Sequence, residues 1–460
     1  MEYWSDIFDE ILAGVPRYDS FLTVDELDQS SASLAEENPS KVKVLKIGRS
    51  RDGHPINALK IGKGRNNALL FGFPHPDEPI GSMTLEYFAR KLVENSDLEK
   101  LDYTWYIIKC IDPDGARLNE GWFKGPFTTL QFYLHHYRPA THHQIEWTFP
   151  VDYKTLHFHR PLPETRALMN IIDSTMPRFM YSLHNSGFGG VYFYVTSRCP
   201  PLYPIFHQLV SREKLPLHLG EPEMPFMKQY ARAVFELFPV SQLYDFLEKE
   251  TGRDPAKAWP GGGSSDVYAS RVAGTFTIVC EMPYWYDLRI MDTSKSDVSR
   301  KDCILQSAET TEELLSYVRK KFRDAKSKIR PTPEKKRFAA AIDYQTKELL
   351  QFAQADKHRA MNDRSLRRKA TVAEEFDSRV VRQLYSMVWL ALLYRYVKGT
   401  RQRRIEQEVK CMLLQRYGEI ESSLSYKVIP IRSLVRVQLG SALATASYVR
   451  RRTRPRQGPL

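Results

Sequence analysis

A chain of 460 residues, 42% of them apolar, can bury more than one core, which excludes a fibrous or wholly disordered protein. Its longest apolar run, MVWLALLY at 387–394, is far short of the roughly 20 residues that span a bilayer, so no membrane span is expected. The formal net charge of +12 lies in residues 331–460, which carry 27 Lys and Arg against 12 Asp and Glu, while residues 1–330 carry 40 against 43 and give no sign of nucleic-acid binding.

The opening MEYWSDIFDEILAG places two Asp and two Glu in its first ten residues, against the basic, apolar, small order of a secretory leader, and a cytoplasmic protein is expected. Cys110, Cys199, Cys280, Cys303 and Cys411 are odd in number and lack a C-x-x-C pair. They predict reduced, mostly buried thiols rather than disulfides or a cysteine zinc site.

In chain order, KVKVLKIG (41–48) and PINALKIG (55–62) flank the polar turn RSRDGH and predict a hairpin. NALLFGF (67–73) is continuously apolar, as a strand buried on both faces should be. Pro79 then suits a first helical position, and apolar residues at 80, 83, 85, 88 and 92 follow at helical spacing. DYTWYIIKCI (102–111) predicts a strand closed by Asp112-Pro113-Asp114-Gly115, PRFMYSLH (177–184) a strand ending on a histidine, and GTFTIVCEM (274–282) a strand ending on a glutamate. Strands alternating with helical stretches predict an α/β fold with a mixed, mostly parallel central sheet flanked by helices. Residues 116–160 read as a long irregular loop, rich in aromatics and histidines, and long loops in compact domains are usually functional.

At IRPTPEKKR (329–337) the composition shifts, and two prolines among charges predict a linker. The expected organisation is a catalytic domain over 1–330 and a basic, mostly helical region over 331–460. The helical patterns there are 333–358, 372–399 and 401–423, with VRRRTRPRQGPL as a disordered, solvated tail. WLALLYRYV should pack on another helix, of the catalytic domain or of a second subunit, which leaves a homo-oligomer possible.

The stretch GFPHPDEPIG sets His75 and Glu78 one turn apart where a strand yields to a helix, and alone it does not tell a ligand pair from a polar turn, since His-x-x-Glu recurs by chance in many chains. A hydrolytic zinc site needs three protein ligands, an open position and a carboxylate that moves the proton of the attacking water. His184, closing a strand, is the candidate third ligand, because ligands in open α/β sheets gather at the carboxyl ends of strands. Glu281 follows the apolar run FTIVC, a costly place for a carboxylate without a role or a partner.

These residues resemble, in order, the zinc carboxypeptidase family of the carboxypeptidase A and B kind, over residues of about 40 to 320. SRDGHPI with KIGKG resembles its opening strands, HPDE its His-x-x-Glu zinc motif, and IDPDG its Asn-Pro-Asp-Gly. RPLPETRAL resembles a helix opening, SLHNSG holds the third ligand, and GGGSSDVYASRVAGTFTIVCEM resembles the Gly-Gly-Ser segment leading to the base. The resemblance implies His75, Glu78 and His184 on one zinc ion, Glu281 as general base, and a peptide or peptide-like substrate cut at or near its C-terminus.

The departures are specific. Where the family has an Asn-Arg pair to clamp the substrate carboxylate, Val151-Asp152 is followed by Tyr153-Lys154-Thr155, so Lys154 or Arg160 could supply the charge, although lysine lacks the bidentate fork. The oxyanion arginine is displaced too, leaving Lys124 or Arg138. The chain reads Ala258-Trp259-Pro260 where the family often has a closing tyrosine. Ser265 stands at the floor of the specificity pocket, and its small hydroxyl argues against a dedicated pocket for a basic side chain. Histidines 135, 136, 142, 143, 157 and 159 show no acidic ligand pattern that would hold a second metal. The missing clamp keeps two alternatives open: a zinc deacylase or amidase acting on a modified amino acid, and a binding or scaffold protein with a relict site.

Overall fold

A computed structural model describes residues 3–257 and 259–452. Nine strands form the main path of an 11-stranded sheet: β1 (Val42–Arg49), β2 (Pro55–Ile61), β3 (Asn66–Phe71), β4 (Tyr103–Ile108), β5 (Phe179–Ser182), β6 (Tyr192–Val195), β7 (Gln229–Ala231), β8 (Val234–Glu236) and β9 (Phe276–Tyr286). Their order is β1-β2-β4-β3-β5-β9-β6-β8-β7. The central strands β4, β3, β5 and β9 run parallel, while β1–β2, β2–β4 and β9–β6 are antiparallel. The sheet is thus the expected mixed, mostly parallel one, with its parallel strands at the centre. The two-residue alternation of β3 explains its continuous apolar run: Ala68 and Leu70 enter one core, Leu69 and Phe71 the other.

One face is covered by α1 (Asp6–Ala13), α2 (Ile80–Glu94), α4 (Tyr203–Arg212) and α10 (Ile431–Arg452), the other by α3 (Pro163–Thr175) and α5 (Ser265–Ala273). Close approach decides two of these contacts. A Cβ on Gly81 would meet Leu183 Cβ at 2.6 Å, and one on Gly440 would meet Leu209 Cδ2 at 2.4 Å. Glycine at 81 lets α2 press on the chain just past β5, while a Cβ at 440 would require the Leu209 side chain to shift. The hairpin turn, IDPDG and RPLPETRAL meet through polar contacts. Ser50 Oγ donates to Asp114 (2.7 Å), and Arg51 pairs with Glu164 (3.2 Å) and Asp112 (3.6 Å).

Between β9 and α10 lie α6 (Arg300–Lys326), α7 (Pro333–Asn362), α8 (Arg382–Val397) and α9 (Arg403–Glu421). The expected linker at 329–337 is a tight turn between α6 and α7 followed by the first residues of α7. Thr332 accepts from Lys335 N and Pro333 fills the first helical position. WLALLYRYV packs inside the chain, in the core shared by α6, α7 and α9. Residues 116–160 are not one irregular loop but a series of short helical turns, including Thr129–His135, and a small hairpin, Val151–Tyr153 with Leu156–Phe158. The strand read as ending on Glu281 runs on to Tyr286. Of the tail read as disordered, residues 449–452 are instead the last of α10, and 453–460, with Arg454 and Arg456, lie outside the described residues, as does Ala258. No helix among the described residues is long and apolar enough to cross a membrane. The five cysteines are free, with Cys411 exposed.

Candidate active site

The loop after β3 carries His75 and Glu78, and its fixed shape begins at Phe73, buried and held at φ 54°, a left-handed conformation rare for a bulky residue. Asn185, just past β5, binds the neighbouring elements together. Its Oδ1 accepts from Ile80 N at the start of α2 (3.3 Å) and from the Tyr284 hydroxyl (3.2 Å). Gln438 of α10 donates to the carbonyl of His184 (2.9 Å) and accepts from Thr84 (2.9 Å). The end of β5 is therefore anchored to both α2 and α10.

His75 Nδ1 lies 3.0 Å from Glu78 Oε1, and His184 Nδ1 lies 3.0 Å from Glu78 Oε2. One ligand atom from each of the three residues falls within 4.8 Å of the others, and all three side chains are buried. Glu78 Oε2 accepts no hydrogen bond among the described residues. Two imidazole nitrogens and a buried carboxylate oxygen left for a cation are the donor set of a zinc site, so the residues fit the ion. Glu281 lies beside them, its Oε1 3.8 Å from His184 Nδ1.

Electrostatics follow from burial and proximity. Burial lowers the His75 pKa. Burial also acts to lower His184, but the charge of Glu78 and the Glu146 hydrogen bond outweigh it and raise the group well above its ordinary value. Glu78 is buried, yet His75 and His184 hold it below the ordinary carboxylate range. Burial pushes Glu281 well above that range.

These groups open on a cavity of about 460 Å³, lined by the sheet, by the 221–238 segment and by α6, α7 and α8. Arg138 and Ser265 line it with the four residues above. Arg138 Nη1 stands 3.3 Å from Glu78 and 3.5 Å from Asp77. Ser265 is buried, and both its N–H and its hydroxyl donate to Glu146 (3.0 Å each). Lys154 and Arg160 are not brought to the cavity. The Lys154 ammonium is exposed and held by Asp245 and Glu248, at 2.7 Å each, and Arg160 is exposed on the surface. Lys124 is likewise paired with Glu26 near the protein surface. Of the six loop histidines, His157 and His159 both contact Asp152 (2.8 and 2.9 Å), His142 meets His143 with their rings tilted by 48°, and His136 lies 3.8 Å from Asp77.

Glu146 is a site residue that the sequence reading missed. It accepts from Ser182 Oγ (2.7 Å) and faces His184 Nε2 (3.8 Å), and despite burial these partners hold its pKa down to about 2. Its signal, a lone carboxylate inside the apolar stretch IEWTF, is the one that singles out Glu281. Arg382, Tyr385 and Trp389 of α8 also line the cavity, and nothing in their amphipathic pattern marks them.

A sequence model of the family described as zinc carboxypeptidase matches residues 27–284. The chain is 29% identical over 184 residues to carboxypeptidase D of Drosophila melanogaster, covering 36% of this chain and 13% of that one. It is 30% identical over 127 residues to zinc carboxypeptidase A 1 of Anopheles gambiae, covering 24% and 29%. Each match therefore spans less than a third of the relative's length. Among solved structures, the carboxypeptidase A from Helicoverpa armigera aligns with a TM-score of 0.39 and 18% identity, covering 61% of this chain and 71% of that one. With the family's sequence model running through more than half of it, the chain belongs to the zinc carboxypeptidase family.

Proposed function

We propose that the protein is a zinc-dependent hydrolase that cuts an amide bond at or near the C-terminus of a peptide or peptide-like compound. The observation that carries this reading is the convergence of His75, Glu78 and His184, with Glu281 3.8 Å from His184, on one cavity. His75, Glu78 and His184 would hold the zinc. When bound, the ion would supply a Lewis acid that polarises the amide carbonyl and acidifies water, and its charge would draw the Glu281 carboxyl back toward ionisation. Glu281 takes the proton of the attacking water and delivers it to the leaving nitrogen. Arg138 offers its guanidinium to the substrate oxygen from beside Glu78, and Ser265 holds Glu146 beside His184. Glu281→Gln should keep stoichiometric zinc by elemental analysis and lose about 10²-fold or more in kcat. Near-normal turnover would sink the assignment, and absence of zinc from the purified protein would favour the scaffold reading.

One observation favours the amidase alternative. The two arginines that line the cavity are both ion-paired, Arg138 to Asp77 and Glu78 and Arg382 to Asp356 at 2.8 Å. Neither is a free fork for a substrate carboxylate. Comparing a peptide with its C-terminal amide separates the readings, since a carboxypeptidase needs the free carboxylate.

A further inference from the structure

A concentration of positive charge lies away from the cavity, where α6 ends and α7 begins. Residues 319–337 carry ten Lys and Arg against two acids, Asp324 and Glu334, and residues 398–404, from the end of α8 into α9, add four with no acid. The fold brings the two stretches to one end of the helical bundle. Lys335 Nζ donates to the carbonyls of Arg395 (2.6 Å) and Lys398 (3.4 Å), which ties the start of α7 to the end of α8. Lys321 of α6 and Arg404 of α9 share the carboxylate of Glu408. Lys326 pairs with Asp343 (3.4 Å) and Arg337 with Asp52 (2.7 Å).

The remaining cations are not matched in this way. Lys320, Arg323, Lys328, Arg330 and Lys336 are exposed and make no ion pair among the described residues, and the same holds for Lys398, Arg401 and Arg403. Helix stability accounts for only part of this pattern. Arg323 and Lys326 stand in the last turn of α6, where the helix dipole favours positive charge. Lys336 lies in the first turn of α7 and Arg403 opens α9, and there the dipole opposes it. Like charges gathered against the dipole, with carboxylates left out, cost stability in the free protein and suit an anionic partner.

The kind of partner follows from what surrounds the charge. None of the large apolar side chains exposed among the described residues falls in either stretch, so this end offers neither a wedge to insert nor an open ring on which a base could stack. The cations sit on helix ends and turns, not along a helix or ribbon that could lie in a nucleic-acid groove. Such a blunt end fits a surface whose anions are dense and free to rearrange beneath it. We propose that residues 319–337 and 398–404 hold the protein at an anionic lipid surface by charge alone. The cavity stays clear of that surface. Its first lining residue on α7, Leu349, is about 20 Å along the helix from Lys336, and Thr311 on α6 is about 18 Å from Arg323. The proposal is independent of the hydrolase reading.

The test is co-sedimentation of the full chain with vesicles of phosphatidylcholine alone and of phosphatidylcholine with about 30% phosphatidylserine. At about 0.1 M salt the protein should bind the anionic vesicles and not the neutral ones, and at about 0.5 M salt it should come off, because no apolar group retains it. A triple variant, Lys328→Glu with Arg330→Glu and Lys336→Glu, should bind about 100-fold more weakly, since each cation near such a leaflet strengthens binding several-fold. A glutamate at 336 suits the first turn of α7, so the helix is kept. A control with the same change in net charge, Lys43→Glu with Lys46→Glu and Lys63→Glu on and beside the exposed β1–β2 hairpin, should lose less than about threefold. No binding to the anionic vesicles, binding that survives about 0.5 M salt, or equal losses in the two triple variants would overturn the proposal. So would binding of a DNA duplex by a protein that leaves the vesicles in solution.

Discussion

Glu348 on α7 is buried against the Thr141 hydroxyl, and its Oε1 has no hydrogen-bond partner among the described residues. Burial pushes its carboxyl from 4.5 up to about 8. Between those values the folded chain keeps a proton that the unfolded chain has released. Stability therefore falls as pH rises from about 4.5 to 8 and levels off above. Glu348→Gln should melt higher than wild type at pH 8, the two curves meeting near pH 4.5. Melting temperatures differing by a constant amount across that range would show that Glu348 does not titrate as its burial demands. The same reasoning made part of the site legible in the sequence. Glu281 stands out because a charge in an apolar run is expensive, and His75, Glu78 and His184 because they sit at strand ends. Arg138 could not be separated from Lys154 and Arg160 in the same way. All three lie in a stretch without periodicity, where only tertiary contacts decide which side chain turns inward and which, like Lys154, pairs at the surface.

Among the elements, the hairpin, β3 and α2 follow from their patterns to within a residue or two, because each is regular and well buried, whereas β4 ends at Ile108, three residues before the expected end. α10 escaped the reading for a physical reason. IRSLVRVQLGSALATASYV is buried along nearly its whole length from Leu434 to Val449 and is built from Gly, Ala, Ser and Thr, which fit a close helix contact yet give little hydrophobic contrast. A carboxylate in an apolar run reads as a strand end, so the pattern gives 274–282, whereas β9 runs on from Met282 to Tyr286. α10 holds the site through Gln438, which is fully buried and joins Thr84 of α2 to the carbonyl of His184. Gln438→Ala strands a buried hydroxyl and a buried carbonyl and should cost about 1–3 kcal/mol in urea unfolding. A change under about 0.5 kcal/mol would mean that water or a shifted side chain takes over both bonds.

For the whole molecule, one hydrophobic core joins Phe8 of α1, Trp105 of β4, Phe338 of α7, Trp389 of α8 and Leu443 of α10. The division at 330/331 falls in the turn between α6 and α7, across which the two helices pack together. We therefore propose that residues 1–330 and 331–452 fold as one cooperative unit, with α6, α7 and α8 closing the catalytic cavity and α10 completing the sheet's cover. Removing residues 331–460 would bare the face of the sheet that Leu434, Val435, Leu439, Leu443 and Ala446 protect, and would open the cavity wall that holds Trp389. Exposed apolar surface of that extent drives association. The full chain should unfold in one transition, with far-ultraviolet dichroism and tryptophan fluorescence coincident, and calorimetric and van't Hoff enthalpies in agreement. A fragment of residues 1–330 should be aggregation-prone and should bind a hydrophobic dye. Two separated transitions in the full chain, together with a monomeric 1–330 that melts cooperatively on its own, would restore the two-domain division and make the helical region an addition to a site complete without it.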